Sequence, residues 1–215
     1  MAMVGADLGE AIRSEMGFPL PVSSQLLGWG DALVSYLQTG IVTHVAGSVM
    51  GTAPSGGGAL INGTATNGII SGLTGAAFAS AVSGSAGYPG ISGELQSYCN
   101  EIVDHIQTFG LVEFAPGTIT GTCTNSSSSA GGLANGAGSG GLITNLDGTA
   151  LASAIHSSVG YPGGVSGPLT LFCNALMNYI MANAEVSYAS GTVTAICPSG
   201  GGSITNGAGA NGIIS

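Results

Sequence analysis

The chain has 215 residues, of which 5% are charged and 44% are apolar, and its formal net charge is −9. An ordinary globular domain carries about 25% charged residues, so this surface must be covered mostly by Gly, Ser, Thr, Asn and Ala. Lys and Arg together occur only once in the chain. The composition therefore argues against binding to nucleic acid or to an anionic membrane, because both require basic side chains. The apolar runs are too short to span a bilayer, and the apolar content is too high for a disordered chain.

Three similar segments of the chain each begin with a predicted short helix, in residues 8–23, 78–92 and 151–166. Each helix is expected to end at a glycine that is followed by an aromatic residue and proline. Glycine suits the left-handed conformation after a helix, and proline cannot continue one. The three copies of this ending are Gly17-Phe18-Pro19, Gly87-Tyr88-Pro89 and Gly160-Tyr161-Pro162.

A second, longer helix is predicted after each of these endings, because apolar residues recur there at helical spacing. The spacing places them on one face of each helix, and the opposite face carries Asp or Asn, which we assign to solvent or to an interface. The apolar positions are Leu26, Trp29, Leu33, Val34 and Leu37, then Leu95, Tyr98, Ile102, Val103 and Ile106, then Leu169, Phe172, Leu176, Met177 and Ile180.

Each segment closes with a predicted strand and a Gly-rich stretch, over residues 42–71, 112–144 and 186–215. Alternating residues such as those after Gly117 suit a strand with one buried face. Asn-Gly pairs recur at aligned positions, and Asn-Gly predicts a tight hairpin turn. These pairs are Asn62-Gly63, Asn135-Gly136 and Asn206-Gly207, and each copy ends on an apolar pair: Ile69-Ile70, Leu142-Ile143 and Ile213-Ile214.

We therefore predict an α+β fold of three tandem repeats, in units 1–72, 73–145 and 146–215. Each unit should hold a short helix, a longer amphipathic helix and a Gly-rich β-hairpin or extended segment. A unit of about 70 residues is marginally stable alone, whereas neighbouring units can share a core. The units either surround a pseudo-threefold axis or stack in a line. The closed arrangement is favoured, because no terminal unit resembles a polar cap.

The four cysteines are predicted to form two disulfides, Cys99–Cys123 and Cys173–Cys197. One cysteine of each pair lies in the second helix and the other, 24 residues later, lies in the strand. The first repeat lacks both, and such paired loss is typical of a disulfide, worth roughly 3 kcal/mol for a loop of this size. Four reduced core cysteines are the alternative. A zinc site is disfavoured, since paired ligand spacing such as C-x2-C is missing.

The sequence shows no catalytic, cofactor or metal site. Residues 207–212 match G-x-G-x-x-G, but the dinucleotide-binding motif requires a following helix, so we interpret them as a Gly-rich turn. The three histidines, His44, His105 and His156, fall at different repeat positions. His44 aligns with Phe114 and Tyr188 and should occupy an apolar face.

Two further patterns are interpreted as surface features. Glu101 and Asp104 share a helix and resemble a pair of catalytic carboxylates, but the third repeat has Ala and Asn there. We therefore assign them to a solvated or inter-subunit face. Asn62 and Asn125 begin glycosylation sequons, which matter only in a eukaryotic secretory setting.

The Gly-rich runs have a second interpretation besides hairpins. They could be extended strands that intertwine with copies from neighbouring units.

The leading functional hypothesis is a structural protein of a virus particle: a bacteriophage capsid decoration, neck or tail component that is not an enzyme. Low charge indicates a surface that lies against other copies of the chain and other virion proteins. Disulfides indicate an oxidising setting, yet the N-terminal residues show no secretory signal. A particle that is assembled in the cytosol and oxidised after cell lysis satisfies both observations.

Two alternatives remain open at this stage. The first is an extracellular filament subunit or a surface adhesin, exported without a recognisable signal. The second is an enzyme or a carbohydrate-binding module that uses the loops of Tyr88 and Tyr161 as aromatic platforms. A virion part should assemble with partners at fixed stoichiometry, a filament should polymerise alone, and a binding module should stay monomeric and bind sugar.

Overall fold

A computed structural model describes residues 3–215 and shows an α+β fold with six helices and eight strands. The helices are α1 Gly5–Glu15, α2 Ser24–Leu37, α3 Gly75–Ser85, α4 Gly93–Phe109, α5 Gly148–Val159 and α6 Gly167–Asn183. The strands are β1 Ile41–Ala53, β2 Gly58–Ala59, β3 Ile61–Ser71, β4 Leu111–Cys123, β5 Gly131–Thr144, β6 Glu185–Cys197, β7 Gly202–Ser203 and β8 Thr205–Ile214. Among these residues no helix has both the length and the apolar character to cross a bilayer.

The elements group into two compact units, and the chain passes between them repeatedly. One unit contains the helices and the other contains the strands of residues 41–71, 111–144 and 185–215. The division of the sequence into units 1–72, 73–145 and 146–215 stays a prediction. Met1 and Ala2, which belong to the first predicted unit, lie outside the described residues.

In the helical unit, each helix packs against the next one along the chain, and α6 packs against α1. The longer helices start at serine N-caps: the hydroxyls of Ser23, Ser92 and Ser166 accept hydrogen bonds from backbone N–H groups three residues later. The apolar face predicted for these helices is buried, as Leu33, Ile102 and Leu176 are each at most 1% exposed. Apolar periodicity and capping therefore account for the helical half of the fold.

The strand unit is a closed barrel of six antiparallel strands in the order β4-β3-β1-β8-β6-β5, with β5 pairing back to β4. The short strands β2 and β7 pair with β4 and β1. The linear stack of hairpins, one of the two arrangements that the sequence left open, is therefore wrong. Each hairpin pairs through both of its outer strands with the neighbouring hairpins. Each of the six long strands therefore has a hydrogen-bonded partner on both of its sides.

The Asn-Gly pairs are not the turns of the hairpins, as the sequence predicted, but lie inside strands β3, β5 and β8. At each pair the register shifts, for example between Thr120↔Ala137 and Thr122↔Ala134. The asparagines there take left-handed φ angles of 48° to 52°. An extra residue with such a φ is a β-bulge, which bends a strand and so helps a sheet to close.

The disulfide of the structure joins Cys123 to Cys197, with Cα atoms 5.8 Å apart. Cys99 and Cys173 are free and buried. The predicted pairs Cys99–Cys123 and Cys173–Cys197 are thus replaced by a different pairing. The reason is the partition of the chain: the helix cysteines belong to the helical unit, whereas Cys123 and Cys197 end β4 and β6, the two strands that flank β5.

Candidate functional site

The helical unit contains a cavity of about 860 Å³ that is lined mainly by aromatic rings and prolines. Three of the rings come from the loops that join the two helices of each pair, and three come from the second turns of the longer helices. The loop rings are Phe18, Tyr88 and Tyr161, and the helix rings are Trp29, Tyr98 and Phe172. A cavity of this size and lining is typical of sites for small ligands.

The three loops place their rings at the cavity because they share the same order of residues and backbone conformations. Gly17, Gly87 and Gly160 have left-handed φ angles of 67°, 71° and 77°, which confirms the predicted helix endings. The aromatic residue comes next, and a proline then directs the chain away from helical geometry. The loop therefore turns back toward the serine cap of the following helix.

Hydrogen bonds between side chains fix the rings of the cavity. The Trp29 indole N–H donates to the Tyr88 hydroxyl at 3.1 Å, and the hydroxyls of Tyr98 and Tyr161 lie 3.2 Å apart. The Tyr161 hydroxyl donates to the Glu94 carboxylate. Burial raises the pKa of Tyr98, and the nearby Glu94 raises it further, so Tyr98 is held as a neutral hydroxyl.

Trp29 is the central ring of this group and is 9% exposed. Its ring meets Phe78 and Phe172 edge to face, with centroids 6.0 and 5.7 Å away. Such contacts add about 0.5–1.5 kcal/mol beyond the buried area. A smaller cavity of about 350 Å³ shares Trp29, Tyr88 and Tyr98 and is also lined by Glu94. The three shared rings therefore form a wall common to both cavities.

The polar groups at the larger cavity are few. Nε2 of His156 is buried without a hydrogen-bond partner. Arg13, the chain's single basic residue, donates from Nε to Glu10 at 2.7 Å and from Nη1 to the Phe18 carbonyl at 3.0 Å. The arginine therefore fixes the first loop, and its charge is already neutralised by Glu10.

Sequence reasoning identified two of the six rings of this site. It singled out the loops of Tyr88 and Tyr161, and the structure brings both to one cavity. It placed Trp29, Tyr98 and Phe172 on apolar helix faces and did not connect them with the loops. The sequence did contain a signal for this connection. One aligned position is aromatic in all three longer helices, and in each repeat it follows shortly after the aromatic-Pro pair of the loop.

The other candidate residues lie away from the cavity. Glu101 and Asp104 are on α4 and do not line it, and residues 207–212 lie within β8 rather than in a turn. Asn125, one of the two sequon asparagines, is 3% exposed and donates to the carbonyls of Pro54 and Pro198, whereas Asn62 is exposed. Within residues 3–215, no three His, Cys, Asp or Glu side chains cluster as metal ligands would.

His44 lies inside the barrel, where it packs with the two aromatic residues that align with it in the sequence. The ring centroids of His44, Phe114 and Tyr188 are 5.5 to 5.6 Å apart, and His44 is 1% exposed. Its Nδ1 is 2.6 Å from the Tyr188 hydroxyl, and its Nε2 is 3.0 Å from the Val112 carbonyl. The predicted apolar-face position of His44 is thereby confirmed.

Stability should fall as the pH drops below neutral, because burial lowers the pKa of His44 below its ordinary value of 6.5, despite the Val112 carbonyl and Glu113. Below that ordinary value the unfolded chain binds a proton that the folded chain resists, so the folded state loses stability as the pH falls toward the lowered pKa. We expect His44→Gln to be less stable near pH 8 but to lose less stability than the wild type between about pH 8 and pH 5. Thermal melts across this range provide the measurement.

His105 should contribute to the same pH dependence. Burial lowers its pKa too, although Asp147 opposes the shift, and its Nε2 accepts the Asp147 backbone N–H at 3.2 Å. Combining His105→Gln with His44→Gln should flatten the pH dependence further. An unchanged pH dependence in the double variant would show that carboxylates alone set the acid stability.

No family model, no curated protein and no solved structure matches this chain. Function is therefore inferred from the residues themselves. The helical unit offers a cavity with aromatic rings and few polar groups, and the barrel offers a nearly uncharged surface with exposed aliphatic side chains.

Proposed function

We propose that this chain is a structural protein of a virus particle, a bacteriophage capsid decoration, neck or tail component. It acts by packing against further copies of itself and against other virion proteins. The observation that carries the proposal is the outer surface of the barrel, where aliphatic side chains are exposed and charged ones are nearly absent. Such a surface is typical of a contact between subunits.

The apolar pairs that close the three hairpins support this interpretation. The second residues, Ile70, Ile143 and Ile214, are each 1% exposed, as expected for side chains that fill a core. The first residues are 48% exposed at Ile69, 49% at Leu142 and 54% at Ile213. Because strand residues alternate between faces, these three project from the opposite side of the sheet. Three strands thus carry a large aliphatic side chain where a solvated barrel would carry a polar one.

The distribution of charge points in the same direction. Of the ten acidic residues, eight belong to the helical unit, and Glu113 and Glu185 are the only ones in the barrel. The one basic residue, Arg13, also belongs to the helical unit. A surface without charge lacks the repulsion that keeps proteins apart. The barrel is therefore the part of the chain suited to packing against neutral neighbours.

The disulfide is compatible with an extracellular location, because reducing cytosol disfavours such bonds. A virion component meets this requirement once the particle leaves the lysed cell. The barrel then combines an oxidised cross-link with a surface available to other subunits.

The test is electron microscopy of the protein from its natural source, together with light scattering. We expect particles or tails decorated at regular positions. The double variant Leu142→Glu, Ile213→Glu should abolish this decoration, since it buries two carboxylates in the contact. Leu171→Glu on α6, at a position that is 37% exposed, introduces the same charge into the helical unit and should leave assembly intact.

Other outcomes would contradict the proposal. Self-standing filaments would favour the extracellular filament subunit or surface adhesin. A uniform monomer of 20.7 kDa would exclude both kinds of assembly. Decoration that survives the Leu142→Glu, Ile213→Glu variant would remove the barrel surface as the contact.

A further inference from the structure

We propose that the aromatic cavity of the helical unit is a binding site for a neutral saccharide. This inference does not depend on the role in a virus particle, because it concerns the cavity and not the barrel. It rests on three observations: the rings available for stacking, two polar groups free to bind hydroxyls, and a basic group that is already paired.

The rings match the apolar faces of a sugar. A pyranose ring has faces of C–H groups and an edge of hydroxyls, and it packs its faces on aromatic rings. Tyr88 and Tyr161 are partly exposed on loops, and Phe18 is 44% exposed beside them. Tyr98 and Phe172 form the adjoining helical wall. The cavity of about 860 Å³ falls within the range of about 300–1,000 Å³ that is usual for small ligands.

Two polar atoms at the cavity still lack a full set of partners. The Tyr88 oxygen accepts the Trp29 N–H, so the Tyr88 proton remains available to a ligand. Nε2 of His156 is buried and has no partner, which costs free energy unless a ligand or water binds it. A sugar hydroxyl both donates and accepts, so it can satisfy either tautomer of the imidazole as well as the tyrosine proton.

The charges at the site disfavour an anionic ligand. Arg13 is paired with Glu10 and holds the Phe18 carbonyl, so it is occupied already. Glu94, beside the smaller cavity, accepts the Tyr161 hydroxyl. An anion would have to displace Glu10 from Arg13, and the Glu94 carboxylate would repel it. Hydroxyl groups require no such exchange, and the titration with choline tests whether a cation binds instead.

The experiment uses the chain's single tryptophan as its reporter, because Trp29 lines the cavity. The full protein is titrated with glucose, N-acetylglucosamine, maltose, cellobiose and lactose, while Trp29 emission is followed. Choline and N-acetylneuraminic acid serve as the cationic and anionic comparisons. We expect at least one neutral sugar to give a saturable change at millimolar concentration or below, and the two ions to give none.

Variants locate the binding. Tyr161→Ala should weaken binding of that sugar by about tenfold or more, a loss of about 1.4 kcal/mol. His156→Ala should weaken it as well, while Phe109→Ala, an aromatic residue that is 48% exposed outside the cavity, should not. Circular dichroism of each variant separates lost binding from lost folding.

The proposal is overturned if none of these sugars changes the emission, or if choline or the anionic sugar binds as tightly as the neutral ones. Equal binding by Tyr161→Ala and the wild type would also overturn it. None of these outcomes bears on assembly through the barrel, so the two proposals succeed or fail separately.

Discussion

Reduction of the Cys123–Cys197 disulfide is expected to lower the free energy of unfolding by roughly 4 kcal/mol. The bond joins residues 74 positions apart, and in the chain-entropy model a loop of that length restricts the unfolded chain strongly. Urea unfolding of the double variant Cys123→Ala, Cys197→Ala, compared with the wild type, measures the effect. The variant leaves no thiol at either of these two positions.

The free cysteines provide the control. Burial raises the pKa of both Cys99 and Cys173 to about 12, so neither is a thiolate in the folded protein near neutral pH. A thiol reagent should therefore modify no cysteine in the folded wild type and two after unfolding without reductant. Finding no thiol after unfolding would instead support the pairs Cys99–Cys123 and Cys173–Cys197.

Gly136→Ala is expected to destabilise the barrel by about 3 kcal/mol, at the upper end of what overpacking costs. A Cβ atom on Gly136 would lie 2.1 Å from the Val193 carbonyl oxygen on β6. This oxygen belongs to the backbone of a paired strand, so it cannot rotate away as a side chain could. The aligned Gly63 and Gly207 face the same obstacle, at 2.2 Å from the carbonyls of Ile119 and Val49. Close strand approach at the bulges thus depends on glycine.

Gly132→Ala on the same strand is the matched control. Its Cβ atom would meet nothing closer than the Ala195 carbonyl oxygen at 3.9 Å, which is ordinary contact. Circular dichroism during urea unfolding should show a change within about 0.5 kcal/mol for this variant. Equal stability of Gly136→Ala and Gly132→Ala would contradict the packing argument.

Sequence reasoning succeeded where the signal is local. The endings at Gly17, Gly87 and Gly160 depend on the conformational preferences of glycine and proline, which act within a few residues. The alignment of His44 with Phe114 and Tyr188 placed all three on a buried face, because residues at one position of a repeated pattern share an environment. The aromatic loops of the cavity were found for the same reason.

Sequence reasoning failed where the answer depends on partners that are distant in the chain. The Asn-Gly pairs have the local chemistry of a turn, yet Asn135 is in a strand because β5 must bend between β4 and β6. The spacing of the cysteines favoured bonds within one repeat, whereas barrel closure brings Cys123 to Cys197. Neither the bulge nor the cross-link could be assigned before the pairing of the strands was known.

The pairing of β1 with β8 has a consequence for how the protein is made. Val42 lies opposite Gly212, so the first strand of the barrel has no second neighbour until β8 has been synthesised. Contacts so distant in sequence slow folding, and until β8 arrives the edge of β1 is open. A β8 strand from another nascent chain fits that edge equally well, which gives neighbouring copies a route to exchange strands. Synthesis on crowded polysomes should therefore favour interlocked chains, and dilute refolding should favour barrels closed by their own strand.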